Sequence, residues 1–137
     1  MSTQLGMKAG IGKEDLAALH GLRILLAEDQ MLVALYFEDM LTDLGCTVLG
    51  PVSTVAAALR VAESQPLDGA ILDIRMRSED SFPVARVLKA RPVPFFFITG
   101  HSQSMLPDDL QGVPFLTKPV STQAFASLVR ELFAKTA

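Results

Sequence analysis

Short apolar runs ending in polar residues recur along this chain, each followed by an amphipathic stretch, and that alternation leaves few folds open. Arg23–Glu28 (RILLAE) is the first run and closes on acids; Thr47–Pro51, Gly69–Ile74, the aromatic Pro94–Thr99 and Val113–Thr117 follow as strands. Between the first two, Gln30–Leu44 carries Val33, Phe37, Met40, Leu41 and Leu44 on one helical face, and Gly45 is placed to stop the helix. Ser53 is expected to cap a second helix, Thr54–Ser64, which ends before Pro66. Phe82–Ala90 reads as a third, with Pro83 tolerated in its first turn. Ser121 caps a last helix bearing Phe125, Leu128, Val129, Leu132 and Phe133 at helical spacing. Only the stretch Ser102–Leu110 is weak, broken by Pro107, so the fourth helix is expected to be poor. Parallel strands need a crossover helix between them, so this order predicts an α/β fold, a doubly wound parallel sheet with helices on both faces. Wholly apolar strands agree, because such strands are buried on both sides, and Pro94–Thr99 is too apolar for an exposed edge.

With 137 residues, half of them hydrophobic, there is material for one domain with a real core. Residues 1–21 are interrupted by Gly6, Gly10 and Gly12, with only Lys13–His20 able to form a short helix, and are expected to be a partly mobile N-terminal extension to a domain over 22–137. A formal net charge of −3 gives no basic field to attract nucleic acid or anionic lipid, so neither is expected as a partner. The longest apolar runs, Met31–Phe37 and Val93–Ile98, fall far short of a membrane span, and no apolar stretch follows Lys8 and Lys13 to make a secretory signal. The single cysteine, Cys46, rules out an internal disulfide, is expected to be a small buried residue, and sets a cytoplasmic location as the default. His20 and His101 do not form a metal pair by spacing.

In open parallel sheets the ligand site lies beyond the carboxyl ends of the strands. There the chain places Glu28-Asp29 after the first strand, Asp73 after the third, Thr99-Gly100 after the fourth and Lys118-Pro119 after the fifth. Singly, each has a plain structural account as a polar turn, a strand-end hydroxyl or a loop dipeptide. Their joint placement on one rim points to chemistry. Carboxylates can hold a hard divalent cation such as Mg²⁺, a Lys and a Thr can pair with phosphoryl oxygens, and a carboxylate among them can accept a phosphoryl group as an acyl phosphate.

The segments ILLAEDQ (24–30), AILDIRM (70–76), PFFFITG (94–100) and PFLTKPVS (114–121) resemble the receiver domain of two-component response regulators, over about Leu22 to Ala134. The resemblance implies a flavodoxin-like (βα)5 fold with strand order 2-1-3-4-5. It implies that Asp73 is the phosphoacceptor, that Glu28 and Asp29 hold Mg²⁺ (or Mn²⁺) with Asp73 and the backbone carbonyl of Arg75, that Thr99 is the switch hydroxyl, and that Lys118 pairs with the phosphoryl group. Pro119 matches a proline whose preceding peptide is commonly cis, and Phe115 stands where many receivers carry a swinging Tyr or His. Arg75 and His101, two residues after Asp73 and Thr99, occupy places associated with the rate of hydrolysis. PFFFITG further resembles a sub-group with a Phe-x-Phe-x-Thr-Gly signature, often stand-alone and paired with general-stress and light-sensing kinases; Ile98 replaces its usual small residue, and His101-Ser102 stand where an aromatic often follows.

The function so implied is a phosphoryl-accepting switch rather than an enzyme, served by a sensor histidine kinase or histidine phosphotransfer protein. It would signal to a downstream protein by contact or pass the phosphoryl group on. A docking face is expected where Met31, Leu32 and Leu35 fall opposite the core stripe of the first helix, with Tyr36 at its shoulder and Pro119 nearby. One alternative is a phosphorylation-independent scaffold, against which stands the joint presence of Asp29, Asp73, Thr99 and Lys118. A phosphatase with an aspartyl nucleophile would prefer an acid where Arg75 sits, and a nucleotide-binding oxidoreductase would want a Gly-rich turn where the chain has Glu28-Asp29-Gln30.

Overall fold

In the computed structural model, which describes residues 17–100 and 106–134, the alternation becomes β1 (Arg23–Ala27), α1 (Met31–Asp43), β2 (Thr47–Val52), α2 (Val55–Ser64) and β3 (Gly69–Asp73). Two-residue strands β4 (Arg75–Met76) and β5 (Glu79–Asp80) come next, then α3 (Phe82–Ala90), β6 (Phe95–Thr99), a 3-10 turn (Asp108–Leu110), β7 (Phe115–Thr117) and α4 (Thr122–Phe133). The five long strands lie in the order β2-β1-β3-β6-β7, all neighbours parallel. Leaving out the β4–β5 hairpin, this is the expected order 2-1-3-4-5.

Strands β3 and β6 are buried along their whole length, whereas the edge strands β2 and β7 are partly exposed. Side chains alternate across the sheet as the two-residue strand period requires. On β6, Phe96 faces the core under α1 and α4, with Ile24, Leu26, Phe37 and Phe125. Phe95 and Phe97 face the opposite core under α2 and α3, with Leu25, Leu72 and Leu88. The Phe37 and Phe125 rings stack with centroids 5.0 Å apart, joining α1 to α4. Residues 1–16 lie outside the described residues; of the expected extension beyond them, Leu19 is fully buried in the α1–α4 core. Cys46 is buried as expected, and burial pushes its thiol up to about 11.

The helix ends follow local chemistry. At the end of α1, Cys46 N–H donates to Leu41 O (3.0 Å) and Gly45 N–H to Thr42 O (2.9 Å), a Schellman closure that needs the left-handed φ of 93° at Gly45. Thr54, not Ser53, caps α2: its hydroxyl accepts from Ala57 N at 3.1 Å, because the helix begins at Val55 and a cap must reach the third helical N–H. Ser121 caps α4 by accepting from Ala124 N at 3.0 Å. β7 starts at Phe115 rather than Val113, since Pro114 has no N–H to give to the ladder. The β4–β5 hairpin is absent from the expectations above; its turn runs through Arg77 (φ 51°) and Ser78 (φ 70°), without the Asn-Gly or Asp-Gly that signals such turns. Of the weak segment, residues 101–105 lie outside the described residues. The rest is the short 3-10 turn, pinned to α3 where Arg86 reaches both carboxylate oxygens of Asp109 at 2.8 and 3.2 Å.

Candidate functional site

Parallel register brings the expected site residues to one level. Ala27 pairs with Leu72, Asp73 with Ile98, and Thr99 with Thr117, so the next residues along β1 and β7, Glu28 and Lys118, emerge beside Asp73 and Thr99. A cavity of about 300 Å³ opens there, lined by Asp29, Asp73, Arg75, Thr99, Lys118 and, unforeseen, Gln30.

Lys118 is the hub. Its Nζ lies 3.1 Å from Asp73 Oδ2, 3.2 Å from Glu28 Oε1, 3.3 Å from Glu28 Oε2 and 2.8 Å from Gln30 Oε1. Burial alone would lower the ammonium's pKa, but the Asp73 and Glu28 carboxylates outweigh it and leave it raised, so Lys118 stays charged. Glu28 is only 2% exposed, and loss of hydration pushes its carboxyl up to about 7, with the Asp73 charge adding to the rise against the Gln30 N–H and Lys118. Asp29 is half-buried, and its Oδ2 accepts from Arg77 N at 2.9 Å, so the hairpin turn holds that carboxylate in place. The peptide before Pro119 is cis.

Glu28, Asp29 and Asp73 each offer an oxygen within 4.8 Å of the others. Glu28 Oε1 is buried and makes no hydrogen bond, although the Lys118 ammonium lies 3.2 Å away. Hard oxygen donors, three neighbouring carboxylates and an acceptor lacking a hydrogen-bond partner suit Mg²⁺, which takes few carboxylate oxygens and keeps several waters.

The other expected residues divide. Thr99 is buried at the end of β6 and lines the cavity. Arg75 borders it, but its guanidinium is turned to the hairpin, 3.3 Å from Asp80 Oδ1 and 3.3 Å from Ser78 O. Phe115 is half-buried against the α2–α3 core. His101 lies outside the described residues. On α1, Met31 (74%), Leu32 (82%), Leu35 (50%) and Tyr36 (42%) are exposed as the helical spacing requires, with Pro119 exposed as well. A second cavity, about 520 Å³, joins this face to the site between Val33, Tyr36, Phe37, Lys118, Pro119 and Val120. Two contributors escaped the sequence: Gln30, whose only signal was its place directly after the acidic pair, and the Arg77 N–H, which depends on a turn that no motif marks.

Residues 24–130 match the family model of the response regulator receiver domain. The chain belongs to that family. Among solved structures it resembles SdrG from Sphingomonas melonis Fr1, 41% identical, with a TM-score of 0.69 over 80% of this chain and 92% of that one. It also resembles the receiver domain of the sensor histidine kinase PA1611 from Pseudomonas aeruginosa PAO1, whose structure has magnesium coordinated in the active site cleft: 28% identical, TM-score 0.69, 82% and 98% covered. The phyllosphere-induced regulator PhyR of Methylorubrum extorquens is 30% identical over 121 residues, which are 85% of this chain and 45% of that protein. The transcriptional regulatory protein PdtaR of Mycobacterium tuberculosis is 29% identical over 103 residues, 72% of this chain and 50% of that protein. The chain thus spans about half the length of the curated relatives it matches. Receivers are signalling switches of two-component systems that accept phosphoryl groups and bind Mg²⁺ at an acidic pocket, and this chain is a response regulator receiver of that kind. Among the described residues, no helix is long and apolar enough to cross a membrane.

Proposed function

We propose that Asp73 takes the phosphoryl group, delivered by a sensor histidine kinase or a histidine phosphotransfer protein. The observation that carries this is the Lys118 ammonium 3.1 Å from Asp73 Oδ2 at the mouth of the carboxylate cluster. An Asp73 carboxylate oxygen attacks phosphorus; the new O–P bond forms as the donor's N–P bond breaks, and the imidazole nitrogen keeps the electron pair and takes a proton. Lys118 pairs with the phosphoryl oxygens as charge spreads over them. Glu28, Asp29, Asp73 and the Arg75 carbonyl are the residues that would hold Mg²⁺, which when bound neutralises charge on acceptor and phosphoryl group alike.

Once Asp73 is modified, the Thr99 hydroxyl at the neighbouring strand end is the donor suited to a phosphoryl oxygen. Phe115, half-buried on the neighbouring strand β7, is proposed to follow it. Met31, Leu32, Leu35, Tyr36 and Pro119 form the docking face for a helix of the histidine-bearing partner, because they are exposed and mostly apolar, with Met31 and Leu35 beside Glu28 and Asp29 in one cavity and Tyr36 and Pro119 beside Lys118 in another. Output is by contact with a downstream protein or by onward phosphotransfer.

Incubation with acetyl phosphate and Mg²⁺ should add one phosphoryl group, seen by intact mass, and chelation of Mg²⁺ should abolish it. Equal labelling of Asp73→Asn overturns the assignment.

A further inference from the structure

Outside the acceptor and its metal set, one side chain at the site has no role so far: Gln30. It holds the N-cap position of α1 yet makes no capping hydrogen bond. Its Oε1 instead accepts from Lys118 Nζ at 2.8 Å, the shortest of that ammonium's contacts. We propose that Gln30 is a positioning residue for phosphoryl transfer, holding the Lys118 ammonium at the cavity rather than letting it close fully onto the two carboxylates. This rests on Asp73 being the acceptor.

An ammonium only donates, so the amide must turn its oxygen toward Lys118, and the chemistry alone fixes that orientation. Three acceptors share the ammonium: Gln30, Asp73 and Glu28. Two are carboxylates, and Coulomb attraction favours collapse onto them. The ammonium is wanted at the cavity, where it can pair with incoming phosphoryl oxygens, and full closure onto Asp73 and Glu28 would withdraw it. The neutral Gln30 oxygen is closer to the ammonium than either carboxylate and itself lines the cavity, so it offsets that collapse. Gln30 also donates its backbone N–H to Glu28 Oε2 at 3.0 Å, a bond that a side-chain substitution leaves intact. Side-chain variants therefore test the contact to Lys118 alone.

The test is the rate of acetyl phosphate labelling at saturating Mg²⁺. Gln30 is exposed and caps nothing, so Gln30→Leu should keep the fold, checked by an unchanged melting temperature. It should label about fivefold more slowly, the scale of one ordinary hydrogen bond at an exposed site. Gln30→Asn, which keeps a neutral amide oxygen with a shorter reach, should label at a rate between those of Gln30→Leu and the parent. In a Lys118→Ala background Gln30→Leu should slow labelling no further, because its effect passes through Lys118. An unchanged rate in Gln30→Leu, the same factor in both backgrounds, or Gln30→Asn slower than Gln30→Leu overturns the proposal. Asp73→Asn run alongside separates the two readings. If it labels, the acceptor is wrong; if it stays unlabelled while Gln30→Leu labels at full rate, only the role of Gln30 is wrong.

Discussion

At the scale of single residues, Arg75 is where sequence expectation and observed geometry meet least simply. A long permanent cation two residues after the acceptor is suited to cover an acyl phosphate and pair with its oxygens. Its guanidinium is instead 56% exposed and tied to Asp80 and Ser78. An exposed pair of this kind contributes ~0–1 kcal/mol, so a phosphoryl group on Asp73 can compete for the guanidinium. Arg75→Ala should then lose phosphate faster than the parent and Asp80→Asn more slowly, each by on the order of threefold. Loss of phosphate from the purified phosphoprotein measures both, and equal rates would sink the shielding role. The residues that carry charge and hydroxyl at the strand ends were legible in the sequence because a parallel sheet fixes where its carboxyl ends lie. Glu28, Asp73, Thr99 and Lys118 each follow a recognisable apolar run. Gln30 and the Arg77 N–H were not legible, since each acts through a loop conformation that no residue pattern dictates.

At the scale of elements, close packing sets the tolerance. Gly69 opens β3 beneath Phe133 of α4, whose ring also stacks on Phe96 with centroids 5.8 Å apart. A Cβ on Gly69 would stand 2.6 Å from that ring, so either the ring or the end of α4 must move. Gly69→Ala should destabilise by about 1–3 kcal/mol, as overpacking of a filled core does, read as a lower urea midpoint with unchanged slope. A midpoint equal to the parent's would show that α4 yields freely there. Helices and strands were legible where periodicity was strong, and their boundaries moved where a specific atom decided: the Thr54 hydroxyl that reaches Ala57 N, and Pro114, which cannot extend β7. The β4–β5 hairpin was not, because Arg77 and Ser78 adopt positive φ with neither Gly nor Asn to announce it.

Over the whole molecule, the sheet separates two jobs that share one rim. Its carboxyl ends gather the proposed reacting groups, while α1, packed through Phe37 and Leu41 on the core, turns Met31, Leu32, Leu35 and Tyr36 outward beside them. Tyr36 ties this face to α4, its hydroxyl sharing a hydrogen bond of 2.9 Å with Thr122 Oγ1 and donating to Val120 O at 3.3 Å, just past Lys118-Pro119. On the proposed docking, a partner's helix laid on the patch is brought next to Asp73, a placement that a small phosphodonor does not require. Binding and chemistry are therefore separable by mutation. Leu35 is 50% exposed and contributes little to the core, so Leu35→Ser should leave the melting temperature and acetyl phosphate labelling close to the parent's. Phosphotransfer from the cognate kinase should fall about tenfold, the effect of removing one apolar anchor of roughly 1–2 kcal/mol from an interface. Parallel loss of both activities would mean that the fold had been damaged, and undiminished phosphotransfer from the kinase would move the docking surface away from α1.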